Sequence, residues 1–261
     1  MTVVRRIYSI YCISVFIGLF TALLPFFLVF IQRPSWRKSA VWLNHIWARG
    51  FFALCMVPVR VEYKAPLSKK KPYIFCANHF SYIDIPTMGL TPVPFVFVGK
   101  NSMSRVPVFG YMYRKLHILV DRNNLRSKYE TLQRSIETLE QGLSLTIFPE
   151  GGIVSKNPPT MANFKSGAFK AAVEKNVPIV PVTLCHNWLF LPDDDKFLPN
   201  HRSLKVVFHE PIETKDYSVD SISELNSRVF NIIAAELERS NAYESNQGDL
   251  KEDSLSSSFG S

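Results

Sequence analysis

The run Phe75-Cys76-Ala77-Asn78-His79-Phe80-Ser81-Tyr82-Ile83-Asp84-Ile85-Pro86 sets an imidazole and a carboxylate five positions apart, directly after an apolar stretch that reads as a strand. Proline is tolerated in the first helical turn, so Pro86 argues for a helix that starts near Asp84 and leaves His79 in a strand-to-helix turn. In open α/β sheets such turns are where ligands bind. Imidazole, with an unperturbed pKa of about 6.5, can take a proton from a hydroxyl at neutral pH when a carboxylate fixes its tautomer and stabilises the imidazolium. Alone, the same pattern also suits a helix N-cap aspartate beside a hydrogen-bonded turn histidine.

The elements that must hold this pair follow from periodicity. From Val59 onward, short β-rich runs alternate with helical patterns, which predicts an α/β fold with a mixed, largely parallel sheet flanked by helices. Candidate strands are Tyr73–Ala77, Pro94–Val98, His117–Val120, Leu143–Phe148, Ile179–Leu184 and Leu204–Phe208. The clearest helix covers Lys128–Gln141, with Tyr129, Leu132, Ile136 and Leu139 on one face and Gly142 as its stop. A second covers Ser221–Ser240, with Ile222, Leu225, Val229, Ile232 and Leu237 on one stripe.

Before this domain the chain is of another character. No charged residue occurs from Ile7 to Ile31, and as a helix rising about 1.5 Å per residue that run outreaches a hydrocarbon core of about 30 Å. It is longer than the usual signal-peptide core and no A-x-A-like site follows, which argues against cleavage. Arg5 and Arg6 precede it; Arg33, Arg37 and Lys38 follow, so both flanks prefer the same side of a membrane. Trp42, Leu43, Ile46, Trp47, Phe51 and Leu54 recur at helical spacing between Ala40 and Val59. A two-helix membrane anchor is the expectation, against one ordinary span plus an amphipathic helix, with Pro25 able to kink or break the first helix. The division is therefore anchor at residues 1–58, globular domain at 59–243 and disordered tail at 244–261, where apolar residues become too sparse to offset the entropy of ordering.

The 30 lysines and arginines against 22 acidic residues suit anionic partners without choosing among phosphorylated substrates, acidic carrier proteins, lipid head groups and nucleic acid. The four cysteines, Cys12, Cys55, Cys76 and Cys185, lack paired spacing, so neither a disulfide framework nor a zinc site is indicated. No metal is expected.

Four blocks in order carry a resemblance. After the Asn78-His79-x4-Asp84 block come Gly99-Lys100-Asn101-Ser102-Met103 through Pro107-Val108-Phe109-Gly110 and Ile118-Leu119-Val120-Asp121-Arg122. Then come Ile147-Phe148-Pro149-Glu150-Gly151-Gly152 and Val177-Pro178-Ile179-Val180-Pro181-Val182, with Phe164-Lys165-Ser166-Gly167-Ala168-Phe169 between them. From Tyr73 to Val182 the chain resembles the glycerolipid acyltransferases that include 1-acylglycerol-3-phosphate acyltransferases. The resemblance implies that His79 and Asp84 are catalytic, while Asn78, Lys100, Gly110, Arg122, Glu150, Gly151 and Lys165 bind or position substrate. Gly152 and Ile153 stand where the family has threonine and an arginine expected to contact the acceptor phosphate. Lys100, Arg122, Lys156 and Lys165 are the candidate replacements, with Arg122 first.

The implied reaction transfers a fatty acyl group from acyl-CoA or acyl carrier protein, a co-substrate rather than a cofactor, to the sn-2 hydroxyl of 1-acylglycerol 3-phosphate, giving phosphatidic acid. A thioester is already activated, so no covalent intermediate is needed, in keeping with the absence of a Gly-x-Ser-x-Gly elbow; Cys76 near His79 reads as a buried strand residue. The expected partners are a lysophospholipid, the thioester donor and membrane lipids, with no nucleic acid, and the expected site is the cytoplasmic face of a membrane. Rival readings are another acceptor, such as glycerol 3-phosphate or lyso-ornithine lipid, and a non-catalytic basic membrane-binding protein.

Overall fold

The computed structural model of the protein describes residues 2–100, 108–121, 124–194 and 196–258. Helix α1 (Thr2–Phe30) is followed by a single 3-10 turn (Pro34–Trp36) and α2 (Arg37–Leu54). The domain then runs β1 (Val59–Tyr63), β2 (Ile74–Ala77), α3 (Asp84–Met88), β3 (Phe95–Lys100), α4 (Phe109–Leu116), β4 (Ile118–Val120), α5 (Leu125–Glu140) and β5 (Ser144–Ile147). It closes with α6 (Gly167–Lys175), β6 (Ile179–Leu184), α7 (Asn187–Phe190), β7 (Leu204–Phe208) and α8 (Ile222–Ser258).

The seven strands form one sheet in the order β1-β7-β6-β2-β5-β3-β4. All neighbours are parallel except β6 and β7, so β1 and β7 run against the other five. The expected mixed, largely parallel sheet flanked by helices is the fold observed. Central β2 and β6 are buried along their whole length, as the unbroken apolar runs Ile-Phe-Cys-Ala and Ile-Val-Pro-Val-Thr-Leu require when helices cover both faces. One face packs Ile74, Cys76, Leu145 and Ile179 against α5, α6 and α8. The other packs Phe75, Ala77, Val180 and Val182 around Met88 of α3. In consequence the carboxyl ends of β2, β5 and β6 emerge side by side at one edge.

Most expected strands differ from the observed ones only at their ends, and β1 is an addition. Its Val-Arg-Val-Glu-Tyr alternation is that of an edge strand with polar residues turned to water. Helix α5 ends at Gly142, whose φ of +70° is the left-handed stop the sequence anticipates. Helix α1 passes through Pro25 unbroken. Helix α8 continues to Ser258, through the segment whose composition argues for a disordered tail.

Helices α1 and α2 form a hairpin along the domain. Phe51, Leu43 and Val41 of α2 turn inward, whereas Trp42, Ile46 and Leu54 are exposed. Helix α1 keeps Phe27 in the core but presents Ile7, Ile10, Ile13 and Ile17 outward. Both of its ends are tied to the domain: near the start Arg5 donates to the carbonyls of Leu198 and Pro199 and Ser9 to that of Phe197, near the end Phe27 is buried in the core, and between them Phe20 packs on Phe109 at 5.5 Å.

Candidate active site

Where β2 ends, the chain turns sharply through residues 78–83, and one carboxylate oxygen organises the turn. Asp84 Oδ2 accepts from the backbone N–H of Phe80 at 2.8 Å and of Ser81 at 2.9 Å, and lies 2.9 Å from His79 Nδ1. Asp84 is the first residue of α3 rather than its cap, and it is completely buried. A carboxylate only accepts, so His79 Nδ1 carries the proton and Nε2 keeps its lone pair. The imidazole is further fixed by stacking on Phe148 at 4.0 Å, with ring planes 16° apart. Ser81 donates its hydroxyl to Leu191 O at 2.6 Å, which ties the turn to the segment after α7.

Asn78 faces the neighbouring strand. Its side chain donates to Leu184 O at 3.1 Å and accepts from Leu184 N at 2.8 Å, so its amide prolongs the β2–β6 pairing where the backbone ladder stops. Both of its polar atoms are thereby occupied.

From β5 comes Glu150, also buried. Its Oε1 accepts from the backbone N–H of His79 at 2.7 Å and its Oε2 from that of Ala162 at 2.8 Å. Burial pushes the carboxyl up to about 7, with nearby Asp84 adding to the rise, although the two N–H bonds pull the other way. Gly151 follows with φ of +92°, and a methyl group there would collide with the ammonium of Lys165. Lys165 is held over the glycine by its own backbone N–H, which donates to Pro149 O at 2.8 Å, while its side chain stays exposed.

The structure therefore brings His79, Asp84, Asn78, Glu150, Gly151 and Lys165 to one edge of the sheet. Gly110 lies apart from them in chain terms, buried in the first turn of α4. Lys100 closes β3, its side chain outside the described part, and Arg122 lies outside the described residues. Sequence reasoning missed Phe148 and Ala162 as partners, because a platform for the ring and a donor to the carboxylate depend on which loops meet. It also missed an apolar cavity of about 410 Å³ whose wall includes Tyr82 and Ile83 of the turn and Pro86 of α3, with Cys12 and Phe16 of α1 and Phe51 of α2.

The Acyltransferase family matches residues 58–185. A 1-acyl-sn-glycerol-3-phosphate acyltransferase from Haemophilus influenzae is 30% identical over 174 residues, covering 64% of this chain and 70% of that relative. The chain belongs to the 1-acyl-sn-glycerol-3-phosphate acyltransferase family. A yeast member from Saccharomyces cerevisiae is 33% identical over 200 residues, 74% of this chain and 64% of its own length. A chloroplastic member from Arabidopsis thaliana is 28% identical over 190 residues, 72% of this chain and 52% of its own. The chain thus spans about half the length of the plant relatives it matches.

The crystal structure of the 1-acyl-sn-glycerophosphate (LPA) acyltransferase from Thermotoga maritima shares the fold, with a TM-score of 0.74 at 23% identity over 91% of this chain and 98% of that one. Within this family fold, the chain has Gly152 and Ile153 after its Pro-Glu-Gly turn, and the ammonium of Lys165 lies against Gly151.

Proposed function

We propose that this acyltransferase moves a fatty acyl group from an acyl thioester to the sn-2 hydroxyl of 1-acylglycerol 3-phosphate, producing phosphatidic acid. The observation that carries the reading is the His79–Asp84 pair, 2.9 Å apart at the mouth of the sheet beside a cavity with apolar walls. His79 Nε2 takes the hydroxyl proton as the oxygen attacks the thioester carbon. Collapse of the tetrahedral adduct breaks the carbon–sulfur bond, and the departing thiolate recovers that proton from the imidazolium. Asp84 holds the tautomer and offsets the transient positive charge. The donor is acyl-CoA or acyl carrier protein, and acyl or lysolipid chains suit the cavity walled by Phe16, Phe51 and Ile83.

Lys165 is the proposed ligand of the acceptor phosphate, in place of the family's arginine. Its ammonium lies against Gly151, next to Glu150, and among the described residues no ion pair engages it. Asn78 and Glu150, whose polar atoms are taken up by backbone, hold the turn rather than the substrate in this reading. Lys100, Gly110 and Arg122 remain proposed contributors to acceptor binding.

Residues 1–58 are proposed as a membrane anchor, residues 59–243 as the acyltransferase domain and residues 244–261 as a tail. Among the described residues α1 is the one helix long and apolar enough to cross a membrane. Its ties to the domain at both ends favour a hairpin that enters and leaves on the same side, here the cytoplasmic face. The decisive assay incubates the membrane-reconstituted chain with lysolipids and acyl-CoA or acyl carrier protein and identifies products by mass spectrometry. Phosphatidic acid is the expected product, and His79→Ala lowers its formation at least about a hundredfold. Acylation of lyso-ornithine lipid or glycerol 3-phosphate instead would reassign the acceptor, and near-normal turnover by His79→Ala would refute the mechanism.

A further inference from the structure

A second cavity, about 580 Å³, lies between α2 and β1 and shares only Val57 of its lining with the cavity described above. One part of its wall is apolar: Phe52, Val57, Val59, Val61, Leu90 and Pro92. Its charged lining is cationic, with Arg49 on α2 and Lys69 from the β1–β2 connection; His45 lies one turn before Arg49, and no aspartate or glutamate lines it. Arg49 and Lys69 are exposed, and among the described residues no hydrogen bond or ion pair engages either. His45 is locked in place: its Nδ1 donates to Gly89 O at 3.0 Å, and the Trp42 ring stacks on it at 4.4 Å and 14°. Burial holds the imidazole below its ordinary range, and Arg49 and Lys69 add to the effect. The cavity is thus a concentration of positive potential over an apolar floor.

The flank of α2 shows what such a cavity faces. Trp42 and Ile46, one helical step from His45 and Arg49, are exposed apolar side chains, and α1, which packs on α2, also presents apolar residues outward. Where an apolar ridge meets the bilayer, the residues beside it lie at the level of the lipid phosphates. Apolar walls below a cationic rim complement an amphiphile with an anionic head; a free anion would gain nothing from the valines. We propose that this cavity is a separate lipid site that receives the phosphate head of an anionic bilayer phospholipid which is not the reacting acceptor. The proposal rests on the membrane location argued above.

The test is flotation of the full chain with vesicles of phosphatidylcholine alone or mixed with phosphatidylglycerol, with no acyl donor present. Phosphatidylglycerol should raise vesicle binding of the wild type. Arg49→Gln with Lys69→Gln should lower that binding roughly twenty-fivefold, given about 1 kcal/mol per cation near an anionic surface. Val61→Trp fills the cavity without altering charge and should abolish most of the same gain, whereas Lys170→Gln with Lys215→Gln, a removal of two exposed cations elsewhere, should not. The charge variant keeps the test valid if Val61→Trp does not fold. Wild-type binding by Val61→Trp would mean attraction spread over the surface and would overturn the site. So would inorganic phosphate or coenzyme A stripping the wild type, but not Val61→Trp, from the vesicles, which would give the cavity to a soluble anion. Binding to neutral vesicles with no gain from phosphatidylglycerol defeats this proposal alone, while failure to bind either vesicle defeats the membrane reading with it.

Discussion

Two buried carboxylates reach His79 from opposite directions, and they hold different parts of it. Asp84 arrives from five residues along the chain, meets the ring, and gathers the N–H groups of Phe80 and Ser81 on the same oxygen. Glu150 arrives from another strand and meets only backbone, joining His79 N–H to Ala162 N–H across the mouth of the sheet. In the proposed mechanism the contrast separates the proton chemistry, which needs a charge against the imidazole, from alignment, which needs two acceptor oxygens between two loops. It also explains why the loop that carries Glu150 has room for a cation: with the glutamate turned into the protein, Gly151 leaves its outer side to Lys165.

The contrast breaks first at Asp84. In Asp84→Asn the amide oxygen can retain the Phe80 and Ser81 N–H groups, but it presents no charge to an imidazolium. Turnover should fall about a hundredfold or more with little change in KM, the signature of an interaction that matters in the transition state. Steady-state kinetics on protein with unchanged circular dichroism checks it; a loss confined to KM would make Asp84 a structural cap.

A smaller effect tests the outer side of the other loop. Lys165→Gln should raise KM for the phosphorylated acceptor about tenfold or more at nearly constant kcat, since a hydrogen bond to a charged group contributes about 1.5 to 3 kcal/mol. Adding Ile153→Arg to that variant should recover much of the loss. Equal KM values in wild type and Lys165→Gln would return the phosphate contact to Lys100 or Arg122.

How much of this was legible depends on chain distance. The His79–Asp84 pair is local, so its spacing and Pro86 suffice to suggest it, and central β2 and β6 are legible because strands covered on both faces need unbroken apolar runs. The hold of Glu150 on His79 N–H joins residues 71 positions apart and exists only because β2 and β5 are neighbours. Motif order identifies Glu150 but not what it grips. In the same way the spacing in α2 finds an amphipathic helix but assigns Trp42 and Phe51 to one stripe, when packing against both α1 and the domain turns Phe51 in and leaves Trp42 out. Edge strand β1 escapes notice because Arg60 and Glu62 dilute its apolar signal.

The smallest change in rate, and the sharpest division between the two carboxylates, comes from Glu150→Gln. Glutamine has one acceptor oxygen, so either His79 N–H or Ala162 N–H must face an amide that cannot accept, and turnover should fall less than about tenfold through misalignment alone. Stability should move the other way. Burial raises the Glu150 carboxyl from the ordinary glutamate range to about 7, so the fold binds this proton more tightly than the unfolded chain does. The stabilisation from that proton is complete below the ordinary glutamate range and is lost as pH rises through about 7. Glutamine resembles the protonated form at every pH, so melting curves of the two proteins should nearly coincide in acid, with the variant gaining on the wild type as pH rises from the ordinary glutamate range to about 7 and the difference constant above it. A variant less stable than the wild type at pH 8 would mean that the two backbone bonds outweigh burial, and Glu150 would then be held as an anion for its own sake.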